Sequence, residues 1–177
     1  MFKELETERL RLREIVMEDA ASLFEYFSRS DVVRHYGQDA FQRVEQAEEM
    51  IRSFQKNFND KRGVRWAIEI KGTDRLIGTI GFNSWLPKHH RAEIGYELHP
   101  GYWGKGYALE AAEKAIAYGF EEMDLSRIGA VVFLENHASN KLLCKLGFEK
   151  EGLLRGYMYQ DGKANDTYLY SLLKEKR

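Results

Sequence analysis

The chain has 177 residues, of which 44% are hydrophobic and 31% are charged, and its formal net charge is −1 at pH 7. This length predicts a single domain, residues 1–177, with a sizeable core. The missing basic excess argues against a nucleic-acid partner, and no apolar run approaches the roughly 20 residues that span a bilayer. The charged first residues do not resemble a secretory signal. We therefore expect a cytoplasmic protein with no membrane partner.

The spacing of apolar residues predicts the elements in the first half of the chain. Residues 9–13 alternate apolar and charged side chains, as a half-buried strand does. Helical spacing follows at residues 19–27 and again at residues 44–58. Residues 66–70 and 76–82 are mainly apolar runs joined by a short turn, which predicts two antiparallel strands.

The second half alternates strands and helices. Residues 93–98 alternate again and predict a fourth strand, and residues 104–120 predict an alanine-rich helix. Residues 128–134 are apolar and β-branched, which is typical of a strand buried on both faces. Residues 139–146 predict a short helix, and residues 167–173 predict a last strand. This order predicts an α/β fold built on a mixed sheet.

The end of the helix at 139–146 carries a sequence signal of its own. Gly147 follows it, with Phe148 next, a pair typical of a Schellman ending in which glycine is left-handed and the apolar residue packs back. The single cysteine, Cys144, lies in this helix and excludes an internal disulfide or a multi-cysteine zinc site. We predict that Cys144 is a core thiol.

Residues 98–110 place a strand end, a loop and a helix start within one glycine-rich stretch. The N–H groups and the positive dipole end of a helix start make an anion site. Gly104 and Gly106 let the backbone approach a pyrophosphate without an obstructing side chain, and Lys105 adds a mobile positive charge. A tight strand-to-helix connection is the alternative. The spacing matches neither a P-loop nor a Rossmann fingerprint.

Two segments resemble the GNAT (Gcn5-related N-acetyltransferase) superfamily. The run Trp103-Gly104-Lys105-Gly106-Tyr107-Ala108 fits the acetyl-CoA motif (Q/R)xxGx(G/A), except that Trp103 replaces glutamine or arginine. Residues 136–148 are similar to the Asn-x-x-Ala/Ser…Leu-Gly-Phe segment of these enzymes. The resemblance covers nearly the whole chain, and it is closest to the branch that acetylates ribosomal-protein N-termini, with spermidine acetyltransferases nearby. It implies an acetyl-CoA-dependent N-acetyltransferase.

The resemblance implies a GNAT fold, a mostly antiparallel sheet flanked by helices whose fourth and fifth strands splay apart for the cofactor. The pantetheine arm of acetyl-CoA would add to the sheet and pair with backbone groups around Tyr96 and Leu98. The other residues expected at acetyl-CoA are Trp103, Gly104, Lys105, Gly106, Tyr107, Ala108, Asn136, Asn140 and Lys141. Asn136 has an alternative role as a helix N-cap, and Lys141 has one as solvated surface.

The resemblance also reveals a missing acid. Many GNAT enzymes carry a tyrosine at the position of Leu143, where it protonates the departing CoA thiolate, and leucine cannot donate a proton. Helical spacing places Asn136, Ser139 and Leu143 on one face, with Ser139 one turn before Leu143. The branch that acetylates protein N-termini is similar in having serine at the position of Ser139. We therefore assign Ser139 to hydrogen-bond the thiolate, directly or through water. The alternative is a first-turn serine that satisfies a local backbone donor.

Direct transfer requires a neutral amine, and a carboxylate beside the splay can relay the amine proton through water. Glu93 and Glu97 share one face of the predicted fourth strand with Gly95. We assign Glu93 as the first choice of general base and Glu97 as the second, with solvated strand carboxylates as the alternative. Asn83 and Trp85 are predicted to line the acceptor pocket, and the chemistry needs no metal.

The acceptor amine is less sharply defined by the sequence. An α-amine, with a pKa of about 7.7–8, is roughly one-tenth neutral at pH 7, whereas a lysine or polyamine amine near about 10.4 is almost fully protonated. A protein N-terminus, such as that of a ribosomal protein, is therefore the predicted acceptor. A polyamine, an aminoglycoside or a toxic amine is one alternative, and a polyamine site should be lined with carboxylates. The available carboxylates are Glu48, Glu49, Glu93, Glu97 and Glu110. A non-catalytic acyl-CoA-binding protein is the other alternative, and a homodimer stays open.

Overall fold

The structure is a computed structural model, and it describes residues 1–176. The α-helices in this range are α1 (Ala20–Phe27), α2 (Ser30–Val33), α3 (Val44–Asn59), α4 (Tyr107–Glu121) and α5 (His137–Lys145). The strands are β1 (Leu5–Glu6), β2 (Leu10–Glu14), β3 (Val64–Ile70), β4 (Arg75–Leu86), β5 (Arg91–Leu98), β6 (Arg127–Phe133), β7 (Glu149–Gln160) and β8 (Lys163–Leu173). None of the helices within residues 1–176 is long and apolar enough to cross a membrane.

The strands form one mixed sheet in the order β1-β2-β3-β4-β5-β6-β8-β7. Neighbouring strands are antiparallel except β5 and β6, which are parallel. This confirms the predicted α/β fold with a mostly antiparallel sheet, and β5 and β6 are the predicted fourth and fifth strands. Their pairing covers only residues 91–93 against residues 127–129, although β5 runs to Leu98 and β6 to Phe133. The two strands therefore splay apart beyond residue 93, as predicted.

Helices cover both faces of this sheet. On one face, α4 places Ala112 and Ile116, one helical turn apart, in the same core cluster as Trp66 of β3. On the other face, Leu23 of α1 and Ile51 of α3 form a second cluster. Each fully buried leucine or isoleucine stabilises the fold by about 1.5–3 kcal/mol. The first cluster also contains three residues of β5, and Tyr26 of the second cluster donates a hydrogen bond to Glu97 of β5 at 3.2 Å, so contacts on both faces hold this wall of the splay in place.

Helix α5 ends in the predicted Schellman motif. Gly147 has a φ of 88°, its N–H donates to the Cys144 carbonyl at 3.1 Å, and the Phe148 N–H donates to the Leu143 carbonyl at 3.0 Å. Leu143 and Phe148 are buried, whereas Cys144 is exposed. The prediction of a core thiol was wrong, because one helical residue turns Cys144 by about 100° from the buried side chain of Leu143.

The sequence predictions omit three elements, β1, α2 and β7. Strand β7 carries two irregularities in its pairing with β8, between Lys150 and Gly152 and between Leu154 and Met158. A bulge interrupts the alternation of side chains by which a strand is recognised. The turn that joins β7 to β8 is Asp161-Gly162, a typical hairpin signal that does mark this strand pair in the sequence.

Candidate active site

Backbone groups of β5 face the gap between β5 and β6. The His99 N–H donates to the Ile77 carbonyl at 2.7 Å, and backbone groups alternate between the two sides of an antiparallel strand. The backbone N–H and carbonyl groups of the odd-numbered residues of β5 therefore point towards β4. Those of Tyr96 and Leu98 point into the gap. The Leu98 carbonyl accepts a hydrogen bond from Nε1 of the half-exposed Trp103 at 2.9 Å. The two positions expected at the pantetheine arm thus line the gap, with one carbonyl held by Trp103.

The glycine-rich turn leads into α4, which begins at Tyr107. Gly104 and Gly106 have φ angles of 73° and 80°, a region that favours glycine. A Cβ at Gly104 would meet nothing within 4 Å, and one at Gly106 would lie 3.3 Å from Arg9 Nη2. Lys105, between the glycines, is exposed. The first N–H groups of a helix have no intrahelical partner, so this helix start presents donors and a positive dipole end to an anion.

The helix start also carries an arginine that the sequence analysis missed. Arg9 donates from Nη1 to the Lys105 carbonyl at 2.9 Å and from Nε to Glu110 Oε2 at 2.6 Å. Its guanidinium lies 4.5 Å from the centroid of the Tyr107 ring. Burial opposes the charge of Glu110, but hydrogen bonds from Thr7 and Arg9 outweigh it and hold the Glu110 pKa below its usual value. Arg9 thus brings guanidinium N–H groups to the helix start, while Glu110 offsets its charge. No local pattern marks a residue so far away in the chain.

We expect Gly106→Trp to weaken acetyl-CoA binding by about a hundredfold. The indole would occupy the space in front of the helix start and would force a non-glycine residue into the left-handed region. Gly72→Trp is the matched control, because Gly72 has a φ of 78° with open space around it and lies in the turn between β3 and β4. Isothermal titration calorimetry measures both affinities. Unchanged affinity of the Gly106 variant would contradict this site.

The start of α5 is held by two asparagines. Asn136 accepts a hydrogen bond from the Ser139 N–H at 3.2 Å and is therefore the N-cap. The Asn140 amide donates to the Phe133 carbonyl at 3.1 Å and to the Asn136 carbonyl at 2.8 Å. These bonds tie the turn between β6 and α5 together, so both asparagines have a structural role whether or not they also contact cofactor. Lys141 is exposed.

A tyrosine and a serine meet across the gap. The Tyr96 hydroxyl lies 2.6 Å from Ser139 Oγ, a hydrogen bond between β5 and α5. Burial raises the pKa of Tyr96 to about 12. Leu143, where the resemblance expects an acid, is fully buried in the core beneath α5. Leu143 therefore offers no hydroxyl group in the gap, and the hydroxyl groups that meet there belong to Tyr96 and Ser139.

The two carboxylates predicted as bases differ in their surroundings. Glu97 is buried, accepts hydrogen bonds from Tyr26 and Thr79, and forms an ion pair with the buried side chain of Arg65. Glu93 is half-buried, and among residues 1–176 its carboxylate has no hydrogen bond or ion pair. Buried donors already occupy both oxygens of Glu97, whereas the carboxylate of Glu93 is open to an incoming amine. The geometry favours Glu93 over Glu97 as the base.

Glu93 borders a cavity of about 230 Å³ at the root of the splay. Its walls are formed by Arg91, Ala92, Glu93, Arg127, Gly129, Leu154, Tyr157 and Leu169. Asn83 pairs with Glu93 in the ladder of β4 and β5 and is exposed on that side. Trp85 packs instead against the core cluster that α4 covers, and its indole N–H is buried without a partner in the described structure. The structure thus separates the two residues predicted to share the acceptor pocket.

The described part of the chain contains no group of three or more His, Cys, Asp or Glu side chains arranged to hold a metal ion.

Parallel strands splayed over a glycine-rich helix start, with a free carboxylate at the root of the splay, form the arrangement of an acyl-CoA-dependent acyltransferase. Residues 9–149 match the family model described as the acetyltransferase (GNAT) domain. The chain therefore belongs to the GNAT acetyltransferase family, and it is an acetyl-CoA-dependent N-acetyltransferase, as the sequence predicts.

Individual relatives agree with this membership. The chain is 52% identical to YoaA of Bacillus subtilis, an uncharacterized N-acetyltransferase, over 176 residues that cover 99% of each protein. The crystal structure of a GNAT-family acetyltransferase from Bacillus anthracis superposes with a TM-score of 0.85 at 31% identity, covering 98% of this chain and 99% of that one.

Two further similarities concern enzymes whose names specify an acceptor. The chain is 26% identical to spermidine N(1)-acetyltransferase of Escherichia coli K12 over 155 residues, covering 87% of this chain and 80% of that protein. It shares its fold with RimL, a ribosomal L7/L12 alpha-N-protein acetyltransferase in complex with coenzyme A, with a TM-score of 0.84, 18% identity and coverage of 97% and 98%. The names of these two enzymes specify a polyamine and a protein α-amine as their acceptors.

Proposed function

We propose that this enzyme acetylates the α-amine of a protein N-terminus, such as that of a ribosomal protein. The amine nitrogen attacks the thioester carbonyl of acetyl-CoA, the C–S bond breaks, and CoA leaves as a thiolate. Glu93 takes the amine proton, directly or through water, and Ser139 hydrogen-bonds the thiolate. Backbone groups of Tyr96 and Leu98 and the helix start at Gly106 would hold acetyl-CoA, which supplies the activated acetyl group.

The observation that carries this proposal is the pairing of the carboxylates that a polycation would need. Of the five candidates, three are held in ion pairs: Glu48 with Arg52, Glu97 with Arg65, and Glu110 with Arg9. Glu49 is exposed on α3. Within residues 1–176, Glu93 is the only one of the five that lines the cavity, and its carboxylate has no ion pair there. A single carboxylate suits an acceptor with one reacting amine, and an α-amine needs only a weak base.

The cavity favours a small, uncharged side chain next to that amine. Leu154, Leu169 and Tyr157 provide apolar walls. Gly129 leaves room beside the carboxylate, since a Cβ there would lie 3.4 Å from Glu93 Cγ. Two arginines and Glu93 also line the cavity, so a charged first side chain of either sign would lie near a like charge. A peptide that begins with serine or alanine is therefore the best fit.

We expect peptides with a free N-terminal serine or alanine to release CoA from acetyl-CoA, read by a thiol reagent. The matched controls are the same peptides with a formylated N-terminus and a free internal lysine. Because the neutral fraction of an α-amine at pH 7 is a few hundred times that of a polyamine amine, kcat/KM should exceed that for spermidine by about a hundredfold.

Two outcomes would contradict the proposal. A higher kcat/KM for spermidine or an aminoglycoside than for every peptide would identify a small-molecule acetyltransferase. Acetyl-CoA bound without acetylation of any amine would identify a binding protein. The similarity to spermidine N(1)-acetyltransferase makes spermidine the first small molecule to test.

A further inference from the structure

The hydrogen bond between Tyr96 and Ser139 closes the gap at one level. Glu93 is the last residue of β5 that pairs with β6. Tyr96 lies beyond it, where β5 and β6 have separated. Ser139 lies in the first turn of α5, which follows β6. The 2.6 Å contact between their hydroxyl oxygens therefore joins the two walls of the gap. These are the walls between which the proposed function places the thioester.

Hydrogen-bond accounting decides which hydroxyl donates to which. A serine hydroxyl has one donor and two acceptor lone pairs. Without an anion, either oxygen can donate in this pair. When a thiolate approaches Ser139, the serine proton turns to the anion, and Ser139 Oγ must then accept from the Tyr96 phenol. Burial raises the pKa of Tyr96 to about 12, so the phenol keeps its proton throughout the neutral pH range.

We propose that Tyr96 is a positioning residue for Ser139, whose proton it directs to the departing CoA thiolate by donating its own hydrogen bond to Ser139 Oγ. Tyr96 keeps its proton, and no bond to Tyr96 forms or breaks. The Ser139 backbone is fixed independently by the Asn136 cap, so the phenol controls only the direction of the hydroxyl. This inference rests on the proposed function and adds a residue that replaces part of the acid missing at Leu143.

Tyr170 provides a matched control for the loss of a phenol. Its hydroxyl donates to Asn140 Oδ1 at 2.6 Å, so it also bonds to a polar side chain in the first half of α5. Asn140 follows Ser139 in the chain, so Tyr96 and Tyr170 each form a hydrogen bond with a side chain of α5. Tyr170→Phe therefore measures what the loss of any hydrogen bond from a tyrosine to α5 does to the enzyme.

The test is a double-mutant cycle of Tyr96→Phe and Ser139→Ala. We expect Tyr96→Phe to lower kcat by about tenfold, the value of one hydrogen bond in the transition state, with the dissociation constant of acetyl-CoA within about twofold. In the Ser139→Ala background, Tyr96→Phe should change kcat by less than about twofold, since its partner is gone. Tyr170→Phe should leave kcat within about twofold.

Each variant is assayed with a serine-initiated peptide and with hydroxylamine, a small nucleophile that is neutral at pH 7. Acetylation of hydroxylamine without acetylation of the peptide would overturn the proposed acceptor. The double-mutant cycle could then still be measured with hydroxylamine. An unchanged kcat for Tyr96→Phe, or an equal loss in the Ser139→Ala background, would overturn the positioning role. No enzyme-dependent CoA release with either the peptide or hydroxylamine would overturn both.

Discussion

Glu97→Gln should lower the free energy of unfolding by about 3–5 kcal/mol, because it leaves the Arg65 guanidinium buried without an anionic partner. The side chains of Arg65 and Glu97 are only 9% and 4% exposed. Arg65 also donates to Thr79 Oγ1 at 2.7 Å, to the Gly95 carbonyl at 3.0 Å and to the Tyr36 hydroxyl at 3.0 Å. These groups can orient the guanidinium but cannot neutralise it. Urea denaturation at pH 7 measures the change.

The double variant R65M/E97L separates the lost partner from the lost volume. Replacing a buried ion pair by apolar side chains of similar size is often neutral, so this variant should recover more than half of the loss. A free energy of unfolding for Glu97→Gln within about 1 kcal/mol of the native value would contradict the account, because a loss that small is typical of a solvent-exposed ion pair. A double variant less stable than Glu97→Gln would also contradict it.

Glu93→Gln should lower kcat/KM for a peptide acceptor by about a hundredfold at pH 7, the lower range for loss of a general base. The isosteric amide keeps the shape of the cavity wall but removes the negative charge and with it the ability to accept a proton. The loss should shrink as the pH rises through the pKa of the α-amine, about 8, because the acceptor then loses its proton to solvent. Initial rates from pH 6 to pH 9 measure the profile.

Glu135→Gln is the control for this variant. Glu135 is an exposed carboxylate just beyond the end of β6, so its removal changes the charge near the gap without touching the cavity. We expect its kcat/KM to stay within about twofold of the native value. Equal losses in the two variants would show a general electrostatic effect, and an unchanged rate in Glu93→Gln would exclude Glu93 as the base.

Local patterns predicted most of the fold. The alternation at residues 93–98 and the helical spacing at residues 104–120 report how each segment meets the core, and both appear as β5 and α4. The Gly147-Phe148 pair predicted the helix ending because its chemistry lies within one turn. Strand β7 escaped because its bulges break the period of two. The family resemblance supplied the splay, which no single segment encodes.

The site was less predictable because its contacts join distant parts of the chain. Glu97 and Glu93 share one face of β5, and the sequence does not show that Arg65, on another strand, pairs with only one of them. Tyr96 and Ser139 are 43 residues apart, and Arg9 and Glu110 are 101 apart. Cys144 was misplaced for a similar reason, since only tertiary packing decides which side of α5 is buried.

The most direct test of the proposed function is where a single peptide is acetylated. The peptide begins with serine, has a free α-amine, and carries one internal lysine; it is incubated with acetyl-CoA and sequenced by tandem mass spectrometry. We predict that the acetyl group is on the α-amine, at a rate that falls in Glu93→Gln and Ser139→Ala. Acetylation of the lysine side chain would contradict the account. So would a reaction with both peptide and spermidine present in which spermidine is acetylated and the peptide is not.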